Sequence, residues 1–306
     1  MPGALTSEIA MEHYHSYLPL SEEVRLSSLY VIAGGYTLIP PHTPYPPMPH
    51  PSDHDFSWRL GRTLQEYQLI YVTGGSGKFE SATCELRPVL PGDMFMLFPG
   101  EWHRYSPDPE TGWDEYWVAF QGEQAKDFIA QYAFSLEEPV LNAGVNPTLV
   151  EEFRQILEEM RGEAVGFRKI LAARTQVILA MATASSLRKS FEGTDIVRVI
   201  EQAKRLLMEQ IDQPVNIEKM AADLGVGYSW FRRMFREYVE LSPAQYHLQL
   251  RINRACELLS KTTLPVAKIS ERTGFESAFY FSQIFREKTG YSPREYRTMT
   301  QVRTKE

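Results

Sequence analysis

Two stretches decide the fold: 217–246, IEKMAADLGVGYSWFRRMFREYVELSPAQY, and 266–296, VAKISERTGFESAFYFSQIFREKTGYSPREY. Each reads as an apolar-periodic helix, a glycine turn (Gly225 or Gly274), a second helix ending in Phe-Arg-Glu, and a Ser-Pro pair. Phe235-Arg236-Glu237 and Ser242-Pro243 recur as Phe285-Arg286-Glu287 and Ser292-Pro293 at one constant offset. The turn of the second copy holds one extra residue. Each copy has the pattern of a helix-turn-helix unit, which can place its second helix in the major groove of double-stranded DNA. Sequence-specific DNA binding in gene regulation is the leading expectation.

The periodicity of the second helices sorts their faces. Phe231, Met234, Phe235 and Tyr238 recur at i, i+3, i+4 and i+7 and predict a buried face. Ser229, Arg232, Arg233 and Arg236 share that spacing and predict an outward one, suited to guanine edges and phosphates. The matching positions of the second copy are Phe279, Ser282, Gln283 and Arg286. Glutamine suits adenine, serine either edge, and phenylalanine a thymine methyl. One amphipathic helix alone would read as a solvated surface; duplication of the whole pattern turns the reading toward DNA. Ser242-Pro243 predicts a capped start to a connecting helix of about 17 residues, roughly 25 Å long. That length suits two recognition helices near the ~34 Å repeat of the groove.

The charge of the chain is divided along it. The 306 residues carry a net charge of −7, but 195–306 hold 18 Lys+Arg against 14 Asp+Glu, a net of +4, leaving −11 on the remainder. Local basic surface, not the total, draws phosphate, so the C-terminal end is the DNA-facing one. A hydrophobic share of 43% and a charged share of 23% are ordinary for a globular chain with room for two cores. No run of about 18 apolar residues predicts a membrane span, and the first residues do not read as a secretory signal. Cys84 and Cys256 are too few for a disulfide framework or zinc knuckle and read as small buried hydrophobes in a reducing cytoplasm.

Upstream, residues 29–122 read as short strands. Strands are expected at 66–72, 94–98 and 113–120, with turns at 73–77, 91–93 and 99–100; the close Gly/Pro punctuation predicts an antiparallel sandwich or barrel. The segment 40–51, with seven prolines in twelve residues, is excluded from a sheet and reads as a loop or arm. From Pro147 the period becomes helical through Leu149, Phe153, Ile156, Leu157 and Met160. A second helix over 166–189 offers Ile170, Leu171, Val177, Ile178, Met181 and Leu187. These helices are expected to pack on the strands or to form a dimer seam. Residues 190–194 read as a linker, with Asp195 capping the next helix.

The residues at 251–297, especially Gly274-Phe275-Glu276-Ser277, 281–286, 289–293 and Tyr296-Arg297, resemble the AraC/XylS signature. The resemblance covers about 195–298 and implies a transcriptional regulator with a seven-helix DNA-binding domain. By position it assigns base-facing roles to Ser229, Arg232, Arg233, Ala278, Phe279, Ser282 and Gln283. The segment 90–105 with 115–122 is similar to the cupin-like effector domain of sugar-responsive members. It implies an all-β cupin-like barrel over 1–145, a helical dimerisation region over 146–190, and an all-α domain over 195–298. It also implies a carbohydrate-type effector, with Trp117 as stacking platform, Tyr105 and Glu115 as polar contacts, Arg59 or Arg62 on an oxygen, and His103 on the same track. A homodimeric activator that contacts DNA and RNA polymerase is the expected form, with no cofactor and no metal. The alternative is a metal-dependent cupin enzyme that modifies sugars. It would need a histidine cluster, yet 61–68 contains none, and His50 and His54 lie in the proline-rich segment. A DNA-alkyl-transfer activity would need a cysteine cluster that Cys84 alone does not supply.

Overall fold

The computed structural model describes residues 13–46, 58–191 and 195–302. The chain divides into two compact units, 1–192 and 193–306. His50, His54 and the second part of the proline-rich segment, 47–51, lie outside the described residues.

The first unit runs β1 (Tyr14–Tyr17), α1 (Glu22–Arg25), β2 (Tyr30–Ile39), β3 (Arg62–Thr63), β4 (Tyr67–Gly75), β5 (Gly77–Ser81), β6 (Arg87–Val89), β7 (Asp93–Leu97), β8 (Trp102–Pro107), β9 (Trp113–Gln121), α2 (Ala125–Ile129), β10 (Val140–Asn142), α3 (Pro147–Gly162) and α4 (Phe167–Phe191). Within the expected sandwich-or-barrel, cupin-like class, the strands form a pair of antiparallel sheets, ordered β1-β2-β9-β4-β7-β10 and β3-β8-β5-β6. The chain leaves the large sheet at Gly75, whose φ of +72° suits glycine and where a side chain would run into the Gly112 carbonyl. One residue later β5 begins pairing with β8 in the small sheet.

Strand alternation builds two cores on opposite faces of the large sheet. Ile70 and Val72 of β4 and Trp113, Trp117 and Ala119 of β9 join Phe95, Phe79 and Tyr105 between the sheets. The intervening Leu69, Tyr71, Tyr116, Val118 and Phe120 face α3 and α4. Helix α3 starts where Asn146 accepts the Thr148 amide ahead of Pro147, and stops at Glu163, which is left-handed at φ 40°. It buries Leu149, Phe153, Ile156, Leu157 and Met160, each contributing about 1.5–3 kcal/mol.

Helix α4 sorts its apolar residues onto two faces that the sequence reading had pooled. Leu171, Ile178, Leu179 and Ala182 are buried with Thr175, whose hydroxyl donates to the Leu171 carbonyl. Ile170, Val177 and Leu187 are exposed. The span Phe167–Lys189 is long and apolar enough, by length and composition, to cross a membrane, which the search for a continuous apolar run had missed. Its buried stripe belongs to the same core as β2, β9 and α3, the position of a helix packed on a sheet.

The second unit holds α5 (Ile196–Glu209), α6 (Ile217–Asp223), α7 (Tyr228–Val239), α8 (Pro243–Lys261), α9 (Val266–Arg272), α10 (Ala278–Thr289) and α11 (Pro293–Val302). The duplication reaches into its core. Phe231 packs edge-on against Phe235 at 5.7 Å, and Phe281 packs at a tilt against Phe285 at 5.5 Å. Tyr246 and Tyr296 then close on Phe235 and Phe285 at 5.6 and 5.5 Å. Both Ser-Pro pairs cap helices reciprocally: Ser242 with Gln245, and Ser292 with Glu295. The connecting helix α8 has 19 residues, about 28 Å at 1.5 Å per residue. Asp195 does not cap α5. Its backbone is already helical and its carboxylate accepts from Arg198 at 3.2 Å instead.

Candidate effector site and nucleic-acid interface

The space between the two sheets collects most of the expected effector residues. Inward alternation on β9 delivers Glu115 and Trp117, β8 delivers His103 and Tyr105, and β3 delivers Arg62, paired in register with His103. Arg62 donates to the Tyr105 hydroxyl at 2.9 Å, to Gln68 Oε1 at 3.4 Å and to His103 Nε2 at 3.4 Å. His103 Nδ1 lies 3.0 Å from the Glu101 carbonyl, which sets the tautomer: Nδ1 donates and Nε2 accepts. Arg59 is exposed in the turn before β3, so Arg62 is the arginine that joins the cluster.

Gln68, Trp113, Tyr17 and Tyr45 were not expected there. Gln68 shares the inward parity of Ile70 and Val72 on β4, a signal the period-two pattern contained. Tyr45 comes from the proline-rich segment and packs 6.3 Å from the Tyr105 ring and 6.5 Å from Trp113, its hydroxyl hydrogen-bonded to Tyr105. Tyr17 lies 6.3 Å from the Trp117 ring.

Burial shapes the charges of the site. Loss of hydration pushes the Glu115 carboxyl up to about 8, against the pull of Arg62. It lowers His103 to about 4, with Arg62 adding to the effect, and raises Tyr105 to about 12. At neutral pH the interior therefore offers a neutral carboxyl, a neutral imidazole and a phenol around one guanidinium. Glu115 Oε2 and Trp113 Nε1 are buried without a hydrogen-bond partner among the described residues, which leaves polar capacity for a bound molecule. A cation at His103 is disfavoured, because Nε2 already accepts from Arg62 and the guanidinium repels it. Among the described residues, no three His, Cys, Asp or Glu side chains are grouped to hold a metal.

Two adjacent glycines set the position of Trp117. A Cβ on Gly35 would lie 2.7 Å from the Trp117 ring and 2.7 Å from the Tyr14 carbonyl; one on Gly34 would meet Met160 Sδ at 3.1 Å on the other face. Gly35→Ala is expected to cost about 1–3 kcal/mol and to shift the near-ultraviolet circular dichroism of Trp117. Gly34→Ala, against a flexible thioether, is expected to cost less. Equal melting temperatures for the two variants would contradict this account.

In the second unit, α7 exposes Ser229, Arg232, Arg233 and Arg236 as expected, and these line one concavity with Glu237 and Ser242. Helix α10 repeats it fifty residues on with Phe279, Ser282, Gln283, Arg286, Glu287 and Ser292. Gln283 and Arg286 are exposed, Ser282 and Ala278 half-buried, and Phe279 is 82% exposed. Arg232 lies over the Tyr228 ring at 5.5 Å. Glu237, Glu287, Ser242 and Ser292 are the members of these concavities not expected on the outward faces, although all four belong to the repeated Phe-Arg-Glu and Ser-Pro.

A unit with two helix-turn-helix pairs, preceded by a two-sheet unit with a polar interior, is the organisation of a DNA-binding regulator with a ligand-binding domain. The family model described as an AraC-like ligand binding domain matches residues 48–181, and a helix-turn-helix domain model matches 220–299. The chain belongs to the AraC family of DNA-binding transcriptional regulators. It is 27% identical over 236 residues to the MmsAB operon regulatory protein of Pseudomonas aeruginosa, covering 76% of this chain and 75% of that one. It is 27% identical over 217 residues to the arabinose operon regulatory protein of Escherichia coli, covering 68% and 72%. A solved AraC-type transcriptional regulator from Chromobacterium violaceum is 31% identical, with a TM-score of 0.32, over 34% of this chain and 92% of that one.

Proposed function

We propose that the first unit binds a small uncharged polyhydroxylated molecule, a sugar or sugar derivative, and that the protein acts as a homodimeric cytoplasmic activator, not as an enzyme. The observation that carries this reading is the buried cluster of Arg62, Gln68, His103 and Tyr105 facing Glu115 and Trp117. Its arginine is already held by neutral acceptors, and its carboxyl is neutral at pH 7. The guanidinium, amide and phenol suit the hydroxyls of a sugar, and the indole face suits its C–H face. The similarity to an arabinose operon regulator supports the same class. In a thermal-shift panel of mono- and disaccharides, at least one sugar should raise the first unit's melting temperature by several degrees. A ligand at a hundred times its Kd adds about 2.7 kcal/mol. If no sugar does so, the effector assignment falls and DNA binding is untouched.

The exposed face of α4 supports the dimer. Ile170, Ala173, Val177, Ala180, Ala184 and Leu187 alternate at spacings of three and four, and all but half-buried Ala184 are exposed. That spacing forms a helix–helix seam, and the alanines allow close approach of a second copy. Sedimentation equilibrium should give a dimer for the native chain and a monomer for Val177→Arg/Ala180→Arg. A double variant that stays dimeric would place the interface elsewhere. Ligand control then runs through Tyr45, whose bond to Tyr105 ties the proline-rich segment to the site. A ligand must bind the tied and released arrangements with different affinity to shift them. Tyr45→Phe, which removes that bond and leaves β1 and β2 intact, should weaken the dependence of DNA binding, and of any contact with RNA polymerase, on the ligand.

A further inference from the structure

We propose that α10 reads an A·T step, with Phe279 seated on a thymine 5-methyl group and Gln283 paired to adenine, so that the operator has a guanine-bearing half under α7 and an A·T half under α10. The proposal rests on DNA binding by both second helices and adds the base chemistry each one selects.

Six equivalent positions line the two concavities, but their chemistry differs. Where α7 has Ser229, α10 has Phe279, 82% exposed in the first turn of the helix, the part of a recognition helix that meets base edges. A phenyl ring has no donor or acceptor with which to read a guanine or cytosine edge. The apolar group that an unmodified major groove offers is the thymine methyl. Ser282 spends its hydroxyl proton on the Ala278 carbonyl at 2.7 Å, which weakens it as a donor to bases. Gln283 remains exposed, one turn from Phe279. The two side chains start about 6 Å apart, within two base-pair steps. On α7 the equivalents of Ser282 and Gln283 are Arg232 and Arg233, both exposed, and arginine is the bidentate reader of guanine.

The test is selection from a random-sequence duplex library with the full-length protein and its Phe279→Ala and Arg233→Ala variants. The native protein should enrich a bipartite site. Phe279→Ala should lose one thymine preference in one half, and Arg233→Ala a guanine preference in the other. Replacing that thymine by deoxyuridine should weaken the native protein about fourfold, one methyl's worth of apolar contact, and leave Phe279→Ala unchanged. Placing 5-methylcytosine there should bind the native protein more tightly than cytosine does. Unchanged base preference in Phe279→Ala, or equal binding of thymine and deoxyuridine, would overturn the proposal while DNA recognition stands. Failure of the native protein to enrich any site would overturn it together with the DNA reading beneath it. Phe279 is exposed, so its loss is not expected to unfold α10; matching thermal melts check this.

Discussion

Arg233→Ala in the full-length protein is expected to weaken operator binding about tenfold to a hundredfold while leaving thermal stability within about 0.5 kcal/mol. The side chain is exposed on α7, and the fold rests on the opposite face, where Phe231 and Phe235 are fully buried. Its loss therefore removes recognition without opening the core. Arg232, Arg233 and Arg236 can be separated by the form of their losses. A base contact relaxes specificity at one position. A phosphate contact lowers affinity on all sequences and reduces the salt slope by about one. Arg236, one turn farther along the helix from the base-reading end, is expected to behave as a phosphate contact. Binding isotherms over a salt series, on selected and scrambled duplexes, make the distinction. Native affinity in both Arg232→Ala and Arg233→Ala would remove α7 from the interface.

Glu115 is expected to make the first unit's stability depend on pH in a direction opposite to the ordinary carboxylate. Its folded pKa, about 8, lies above the unfolded value of 4.5. The folded state therefore holds the extra proton between these values, and stability falls as pH rises through that window. The span corresponds to roughly 5 kcal/mol, fully lost above pH 8. His103 acts the other way: its folded pKa is about 4 against 6.5 unfolded, so stability rises with pH over that interval. The two slopes nearly cancel between about pH 4.5 and 6.5, leaving a decline from pH 6.5 to 8 of about 2 kcal/mol. Glu115→Gln should abolish the decline and raise the melting temperature at pH 8. Tyr105 titrates too high to enter. Chemical denaturation of the native and Gln forms at pH 6.5 and 8 tests this. Parallel pH profiles would show that Glu115 is hydrated in solution.

The parts legible in the sequence were those whose contacts are local. The faces of α7 and α10 follow from spacings of three and four, and Ser242-Pro243 announces the start of α8 by its own chemistry. Asp195 failed as a cap because an aspartate before a helix can turn its carboxylate to a neighbouring arginine as readily as to the helix amides. The choice between sandwich and barrel stayed open in the sequence, because short strands with glycine turns fit one wrapped sheet or two facing ones. Pairing of β5 with β8 decides between them. The faces of α4 were indistinct because apolar residues surround much of that helix. Contact with β2 and α3 selects Leu171 and Ile178 for burial and leaves Ile170 and Val177 outside.

The sequence alone determined the duplicated helix-turn-helix unit, its outward arginines and its divided charge, since a repeat at constant offset carries its own alignment. Only the tertiary structure decided that Arg62 and not Arg59 joins the cluster between the sheets and that Gly35 makes room for Trp117. It also decided that Glu115 is buried with an unmatched oxygen. The physical reason is distance along the chain: Glu115 meets Arg62, Tyr45 and Tyr105 across segments that are far apart in sequence. No local period encodes which carboxyl such pairing will strip of water.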